Sequence, residues 1–255
     1  MSAPLRVNIL TIFPEMFTSF FSASILGRAR EQALIDICLT DIRPFSISKH
    51  HNTDDYPFGG GAGMVMMAQP IIDAMAAAAG EYPSARKIYL GPRGKKLTTS
   101  LARELAGEKE LILLCGHYEG VDQRALDTCI DEEISIGDYI LTGGEPAAMV
   151  LVDCIARFIP GVLGSAESPE DESFSDGLLE YPQYTRPRNL NGLTVPDVLL
   201  SGDHARIKLW RRRESLRATL KYRPDLIRTA SLDQADRKML DEIRKELNDS
   251  CSSES

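Results

Sequence analysis

The sequence predicts an α/β domain with a mainly parallel sheet, followed by a smaller helical domain. Three observations carry that prediction. Short apolar, β-rich segments alternate with helix-like segments through the first two-thirds of the 255 residues. Over 164–176 the text (GSAESPEDESFSD) turns polar, acidic and aperiodic, as a linker does. Beyond it the long segments read as helices.

Strands are expected over 6–12, 35–41, 87–90 and 111–115, each short and rich in Ile, Leu and Val. Between them, Phe13-Pro14-Glu15 opens a helix with proline in the first turn. An alanine-rich helix spans 69–79, with Pro70 near its start and Gly80 at its end. Thr98 or Thr99 caps a helix over 100–106 that stops at Gly107. The segment 145–158 sets Ala148, Leu151, Val152, Ile155 and Phe158 at helical spacing, and Pro160-Gly161 ends it. In the second domain, 195–201 and the basic run 203–221 read as helical. Pro224 breaks the pattern, 232–248 forms an amphipathic helix, and CSSES is a frayed tail.

One stretch fits no regular element. ISIGDYILTGGEP (134–146) begins like a buried strand and breaks at Gly137. It runs apolar again through Tyr139, Ile140 and Leu141, then breaks at Gly143-Gly144. A buried, irregular backbone of this kind is expected to serve a ligand.

Composition narrows the class. The hydrophobic fraction of 43% supports a packed core. The first residues lack a signal-peptide pattern, and no apolar run has the length a membrane span needs. Five cysteines stand singly without a CxxC pair, which suits reduced thiols in a cytoplasm. Net charge is −8, yet residues 206–228 hold nine Lys/Arg against Glu214 and Asp225. Such a concentrated basic segment is a candidate polyanion footprint, although charge alone leaves a solvated helix face equally open. Trp210 and Tyr222 lie in the same run.

Several motifs exclude chemistries. GPRGKK (91–96) has two residues between its glycines where a phosphate loop needs four, and lacks the Ser/Thr after the lysine. No GxGxxG dinucleotide fingerprint occurs in the βα turns. His50, His51, Asp54 and Asp55 lack metal-ligand spacing, so no protein metal site is expected. Gly59, Gly60, Gly61 and Gly63 would let backbone approach a substrate closely, which makes 50–64 a candidate binding loop. In LLCGHYEGVD (113–122), a strand ends at Cys115 and Gly116 and Gly120 bracket His117, Tyr118 and Glu119. Such a strand tip is where α/β chemistry usually happens; His117 is expected to be structural and Cys115 buried and inert, with Glu119 a candidate substrate contact. Arg157 stands near the acidic cluster Glu167, Glu170, Asp171 and Glu172 and pairs an electrophile with candidate bases.

Taken together, LTIFPEMF, DYPFGGGAGMVM, LLCGHYEGVDQR, ISIGDYILTGGE, RFIPGVLG and GLLEYPQYTRP occur in one order along nearly the whole chain. In this the sequence resembles the bacterial tRNA (guanine-N1)-methyltransferases of the SPOUT class. The resemblance implies a methyltransferase domain over 1–163 with a C-terminal trefoil knot at about 86–161, a linker over 164–176 and a tRNA-binding helical domain over 177–255. It implies S-adenosylmethionine held largely by backbone. The pocket would use Tyr89, Leu90, Gly91 and Pro92; Gly116, Tyr118 and Gly120; and Ser135, Ile136, Gly137, Asp138, Tyr139, Ile140, Leu141, Gly143 and Gly144. It implies methyl transfer to N1 of the guanosine immediately 3′ of the anticodon, with Arg157 stabilising charge at O6. Where the family has an aspartate before Ser-Phe, this chain has Glu172 before Ser173-Phe174 and Asp171 one residue earlier. Register favours Glu172 as the base, and residue type favours Asp171. The resemblance further implies a homodimer with shared active sites, in which Arg211 and Arg212 grip tRNA phosphates. The family's magnesium dependence finds no protein cage in the sequence. Two rivals stay open at this stage: a SPOUT enzyme acting on ribose 2′-OH or ribosomal RNA, and a non-catalytic RNA-binding homologue.

Overall fold

The computed structural model describes residues 3–163, 173–174 and 176–252. The chain divides into two compact units, Met1–Ala166 and Glu167–Ser255. In chain order the first unit contains β1 (Leu5–Thr11), a 3₁₀ turn (Pro14–Phe17), α1 (Thr18–Ser22), α2 (Ser24–Glu31) and β2 (Ile35–Asp41). The short strands β3 (Asp54–Asp55) and β4 (Val65–Met66) follow, then α3 (Ala68–Glu81), β5 (Arg86–Lys96), α4 (Thr99–Ala106), β6 (Glu110–Cys115), α5 (Gln123–Cys129), β7 (Glu132–Ser135) and α6 (Glu145–Ala156).

Five strands form one parallel sheet in the order β2-β1-β6-β5-β7. Burial explains which strand takes which place. Every residue of β6 is buried, and its unbroken apolar text is what a central strand covered on both faces requires. At the edge, β2 begins buried-exposed-buried-exposed and reads accordingly. Successive side chains then serve two layers. Val7, Ile9, Ile88, Leu90, Leu111 and Leu113 pack with α1, α2, α4 and α6. Leu10, Tyr89, Ile112 and Leu114 pack with α3 and α5 on the other face.

The differences from the expected elements have physical causes. Pro14 does open a helical turn, but its first four residues are 3₁₀. Thr98 is the cap of α4 and accepts from the Leu101 N–H at 3.2 Å. GPRGKK is not a loop after β5 but a bulged continuation of it. Leu90 and then Lys95 both pair with Ile134 of β7, so the strand returns to its neighbour after a four-residue excursion. Gly94 permits this, because a Cβ there would overlap the Glu133 backbone. Helices α2 and α5 were not anticipated; α5 has only seven residues, too few for a periodic signal.

The second unit contains the strand pair β8 (Asn189–Leu190) and β9 (Leu193–Thr194), a 3₁₀ turn (Asp197–Leu200), and helices α7 (His204–Tyr222), α8 (Pro224–Ile227) and α9 (Gln234–Ser252). Pro224 ends one helix by starting another, occupying a first-turn position where its missing N–H costs nothing. Asp203 caps α7, accepting from the N–H groups of Ala205 and Arg206 at 3.1 Å. Leu178, Leu216, Leu240 and Ile243 make a small core between α7 and α9. Among the described residues no helix is long and apolar enough to cross a membrane.

Candidate active site

The carboxyl ends of β5, β6 and β7 converge on a cavity of about 400 Å³. Three segments wall it: Tyr89–Pro92 from β5, 116–120 after β6, and 134–144 from β7 into the loop before α6. Of the sixteen expected cofactor residues, fifteen line this one space. Asp138 does not; its carboxylate points outward and meets Lys96 Nζ at 3.0 Å. The cavity also has walls that the motifs did not single out for ligand: His117, Ile134, Thr142 and Ala147.

Glycine makes the cavity possible. A Cβ on Gly116 would stand 2.8 Å from the Tyr89 hydroxyl, and one on Gly144 would stand 2.9 Å from Cys115 Cα and the Gly116 nitrogen. The loop is thereby pressed onto the strand tip: Gly144 N–H donates to the Gly116 carbonyl at 2.7 Å, and Gly143 bridges His117 antiparallel. Gly120 at φ 136° and Gly137 at φ 156° turn the chain at the two shoulders. The expectation of a fully buried stretch is corrected here. Tyr139, Ile140 and Leu141 are exposed, Ile140 by 82%, so they overhang the mouth while Ile134 and Ser135 are buried at the base.

The side chains around the cavity are mostly neutral. Burial, and then the charge of Glu133, raise the Tyr89 hydroxyl above the ordinary phenol range. Tyr118, in left-handed backbone at φ 58°, has its hydroxyl raised by burial and by its hydrogen bond to Asp54. Burial pushes the Cys115 thiol well up, with the Glu145 charge adding to it, which leaves the thiol protonated and unreactive. Main-chain N–H and C=O groups together offer the donors and acceptors that the edge of a flat heteroaromatic ligand requires. Among the described residues no three His, Cys, Asp or Glu stand close enough to hold a metal ion.

Glu119 lies on the cavity wall and packs against Gly63, where a Cβ would overlap its side chain. Its N–H donates to the Met64 carbonyl at 3.0 Å, and Met66 N–H donates to the Gly120 carbonyl at 2.9 Å. These bonds clip the glycine loop, including Gly59 and Gly60, to the strand tip. Both glycines have positive φ and open space around their Cα atoms.

Arg157 is not brought to this cavity. It is the C-cap of α6, whose N-cap Gly144 lies in the cavity wall, so about 20 Å of helix separates the two. Asp171 and Glu172 lie outside the described residues. In the second unit the two adjacent arginines differ. Arg211 is exposed, with its guanidinium 4.8 Å from the centre of the Tyr181 ring. Arg212 is half-buried and donates to both carboxylate oxygens of Asp236, at 2.9 and 2.7 Å, and also to Asp176. An intramolecular bidentate pair of this kind removes Arg212 from the phosphate-gripping role expected of it.

Comparisons with known proteins bear on this geometry. A family model described as tRNA (Guanine-1)-methyltransferase TrmD matches residues 5–229. A tRNA (guanine-N(1)-)-methyltransferase of Moorella thermoacetica is 51% identical over 243 residues, covering 94% of this chain and 97% of its own. One from Clostridium botulinum is 54% identical over 243 residues, covering 95% and 100%. The crystal structure of the tRNA (m1G37) methyltransferase from Aquifex aeolicus superposes with a TM-score of 0.72 at 37% identity, covering 89% of this chain and 96% of that one.

Proposed function

The chain belongs to the tRNA (guanine-1)-methyltransferase family, and from that premise we propose how its residues carry the reaction. The enzyme methylates N1 of the guanosine 3′-adjacent to the tRNA anticodon, working in the cytoplasm. One observation carries the assignment of the site: a cavity at the carboxyl ends of three parallel strands, six of whose lining residues are glycines that let its loops pack closely. S-adenosylmethionine fits such walls, its adenine edge read by backbone groups of 134–144. The same segment supports a knotted reading, since it leaves edge strand β7, crosses to the tip of β6 and continues into α6.

Bound S-adenosylmethionine supplies an electrophilic methyl group on a sulfonium. The chain's residues handle the proton and the charge. Guanine N1 carries a proton, which Glu172 or Asp171 accepts as the N1–carbon bond forms and the carbon–sulfur bond breaks. Negative charge grows toward O6 and is met by the Arg157 guanidinium. The ~20 Å of α6 between Arg157 and the cavity supports a homodimer in which the second copy supplies Arg157. The outer face of α6, with exposed Val150 and Asp153 leading to Arg157, is where that contact would form. Exposed Arg211, with Arg206 and Lys208, holds tRNA phosphates. No step runs through magnesium, for which the described residues offer no cage.

Labelled S-adenosylmethionine, incubated with tRNA transcripts bearing G or A after the anticodon, tests the reading. Methylation of the G transcript alone is expected; labelling of both or of neither overturns it. Single-turnover rates of Glu172→Gln and Asp171→Asn then identify the base, with the larger loss expected at Glu172. A wild-type rate in Glu172→Gln transfers the role to Asp171.

A further inference from the structure

Glu145 is the anomaly of the first unit. It is completely buried, in the first turn of α6 directly beneath the cavity wall. Its Oε1 accepts the Thr11 hydroxyl at 2.7 Å, and that hydroxyl accepts the Phe13 N–H at 2.9 Å. Thr11 has therefore donated its only proton to Glu145. The other oxygen, Oε2, has no hydrogen-bond partner among the described residues. Buried polar atoms are nearly always satisfied, which makes an unpartnered oxygen costly.

A candidate donor is Nε2 of His117, 4.0 Å away and just beyond bonding range. Gly143 sits in the angle between the two groups, where a Cβ would overlap both Oε2 and the His117 ring. The backbones of His117 and Gly143 are bridged, and both residues line the cavity. On its other sides the His117 ring is held by Phe13 at 4.9 Å and Tyr118 at 5.3 Å between centroids. Cys115, the other ionisable group beside Glu145, is held as a neutral thiol.

We propose that Glu145 is a positioning residue for the methyl donor: its vacant oxygen takes the Nε2–H of His117 when the cavity fills, locking the Gly143-Gly144 turn against the bound ligand. The inference rests on the reading of the cavity as the S-adenosylmethionine site. The side chain costs stability while its oxygen lacks a partner and regains it on binding, because a hydrogen bond then satisfies that buried oxygen. No proton leaves the pair and no covalent bond changes.

The full-length protein tests this through Glu145→Gln, which keeps the shape and the Thr11 contact but removes the charge, and through His117→Asn. Without ligand, the melting temperature of Glu145→Gln is expected to stay level or rise. Its affinity for S-adenosylmethionine, by calorimetry, is expected to fall roughly tenfold, with tRNA affinity unchanged. The double variant should bind no more weakly than either single one, because both remove the same bond. In the wild type, the His117 imidazole nitrogen signals should shift on loading, and in Glu145→Gln they should not. A melting temperature that falls in step with affinity, or a variant that fails to fold, makes Glu145 merely structural and overturns the proposal. Unchanged affinity overturns it as well. Failure of the wild type itself to bind S-adenosylmethionine would instead bring down the cavity reading on which it stands.

Discussion

The cavity of the first unit and the basic helix of the second are built from opposite materials. Six of the cavity's lining residues are glycines, most of which let its loops pack against strand tips more closely than any side chain would allow. The helix is lined with long cations, and several are already engaged within their own unit. Arg212 holds Asp236 and Asp176, Arg213 holds Glu242 and Glu246, and Arg217 holds Glu214 and Glu246. Charge counted along a sequence thus overstates the charge offered to a partner, whereas glycine counted along a sequence marks close approach well. The first region is specified by what is absent, the second by which pairs are formed.

The largest expected effect separates chemistry from both regions. Arg157→Ala should lower the single-turnover methylation rate roughly 10²–10³-fold, as loss of a donor to developing charge does. S-adenosylmethionine affinity should hold within about twofold, because the group Arg157 is proposed to meet is the guanine O6 and not the methyl donor. A fall in cofactor affinity equal to the fall in rate would mean that Arg157 supports the cavity instead.

The next test breaks the glycine side of the comparison. Gly144 has ordinary helical torsions, φ −80° and ψ −11°, so alanine there meets a steric problem and no torsional one. Its Cβ would press on Cys115 and Gly116 backbone, which the buried sheet cannot yield cheaply. Gly144→Ala should weaken S-adenosylmethionine binding roughly tenfold or more and destabilise the fold by about 1–3 kcal/mol. Gly80→Ala is the control. That glycine lies inside α3 with nothing within 4 Å of an added Cβ, and the change should stabilise by up to about 1 kcal/mol. Denaturant melts and calorimetry on both variants decide whether contact or torsion governs these glycines.

How much of this was legible in the sequence follows the same division. Burial on both faces wrote β6 as six consecutive buried residues, and the strand reading over 111–115 missed only Glu110. The strand over 35–41 was read to the residue. The cavity was legible because backbone contact demands glycine at Gly116, Gly143 and Gly144, and glycine leaves a trace in text. Asp138 was misplaced for the complementary reason: its place in the motif says nothing of which way its side chain turns, and it turns to Lys96. Arg212 and Arg211 are neighbours in sequence, yet the step of about 100° between adjacent residues around α7 gives one to Asp236 and the other to the surface. The signal that could have found this is the acidic spacing of α9, where Asp236, Glu242 and Glu246 recur on the face that meets α7. Glu145 offered a weaker signal, a carboxylate opening a mostly apolar helix immediately after two glycines.

Those adjacent arginines supply the third test. Arg212→Ala should destabilise the second unit by about 1–3 kcal/mol, since it strips the buried Asp236 carboxylate of its partner. Arg211→Ala should leave stability nearly unchanged, weaken tRNA binding and reduce the salt slope by about 1. Trp210, the sole tryptophan, lies in α7 and reports melting of this unit by fluorescence. If Arg211→Ala destabilises as much as Arg212→Ala, or if Arg212→Ala changes the salt slope while the melt stays put, the division between structural and presented cations fails.

Acid offers the gentlest probe of the same pairing. The hydrogen bonds from Arg212 hold the Asp236 carboxyl below the ordinary carboxylate range in the folded chain. A lowered folded value means that the stabilisation is fully present above the unfolded value, about 3.9, and is lost as pH falls through the lowered one. The Trp210-monitored melt should therefore be flat from neutral pH to about pH 5 and decline below about pH 4. The decline should be smaller than the Arg212→Ala loss, because a protonated Asp236 still accepts one hydrogen bond whereas the arginine deletion removes every one. Asp236→Asn should lower the melt at neutral pH and flatten its acid limb. An acid limb as steep in Asp236→Asn as in the wild type would assign it to the exposed pairs instead, Arg223 with Asp225 and Arg217 with Glu246, whose carboxyls their arginines also hold low. That outcome would bring the second unit closer to the ordinary surface its charge count suggested, and narrow its contrast with the glycine-built cavity.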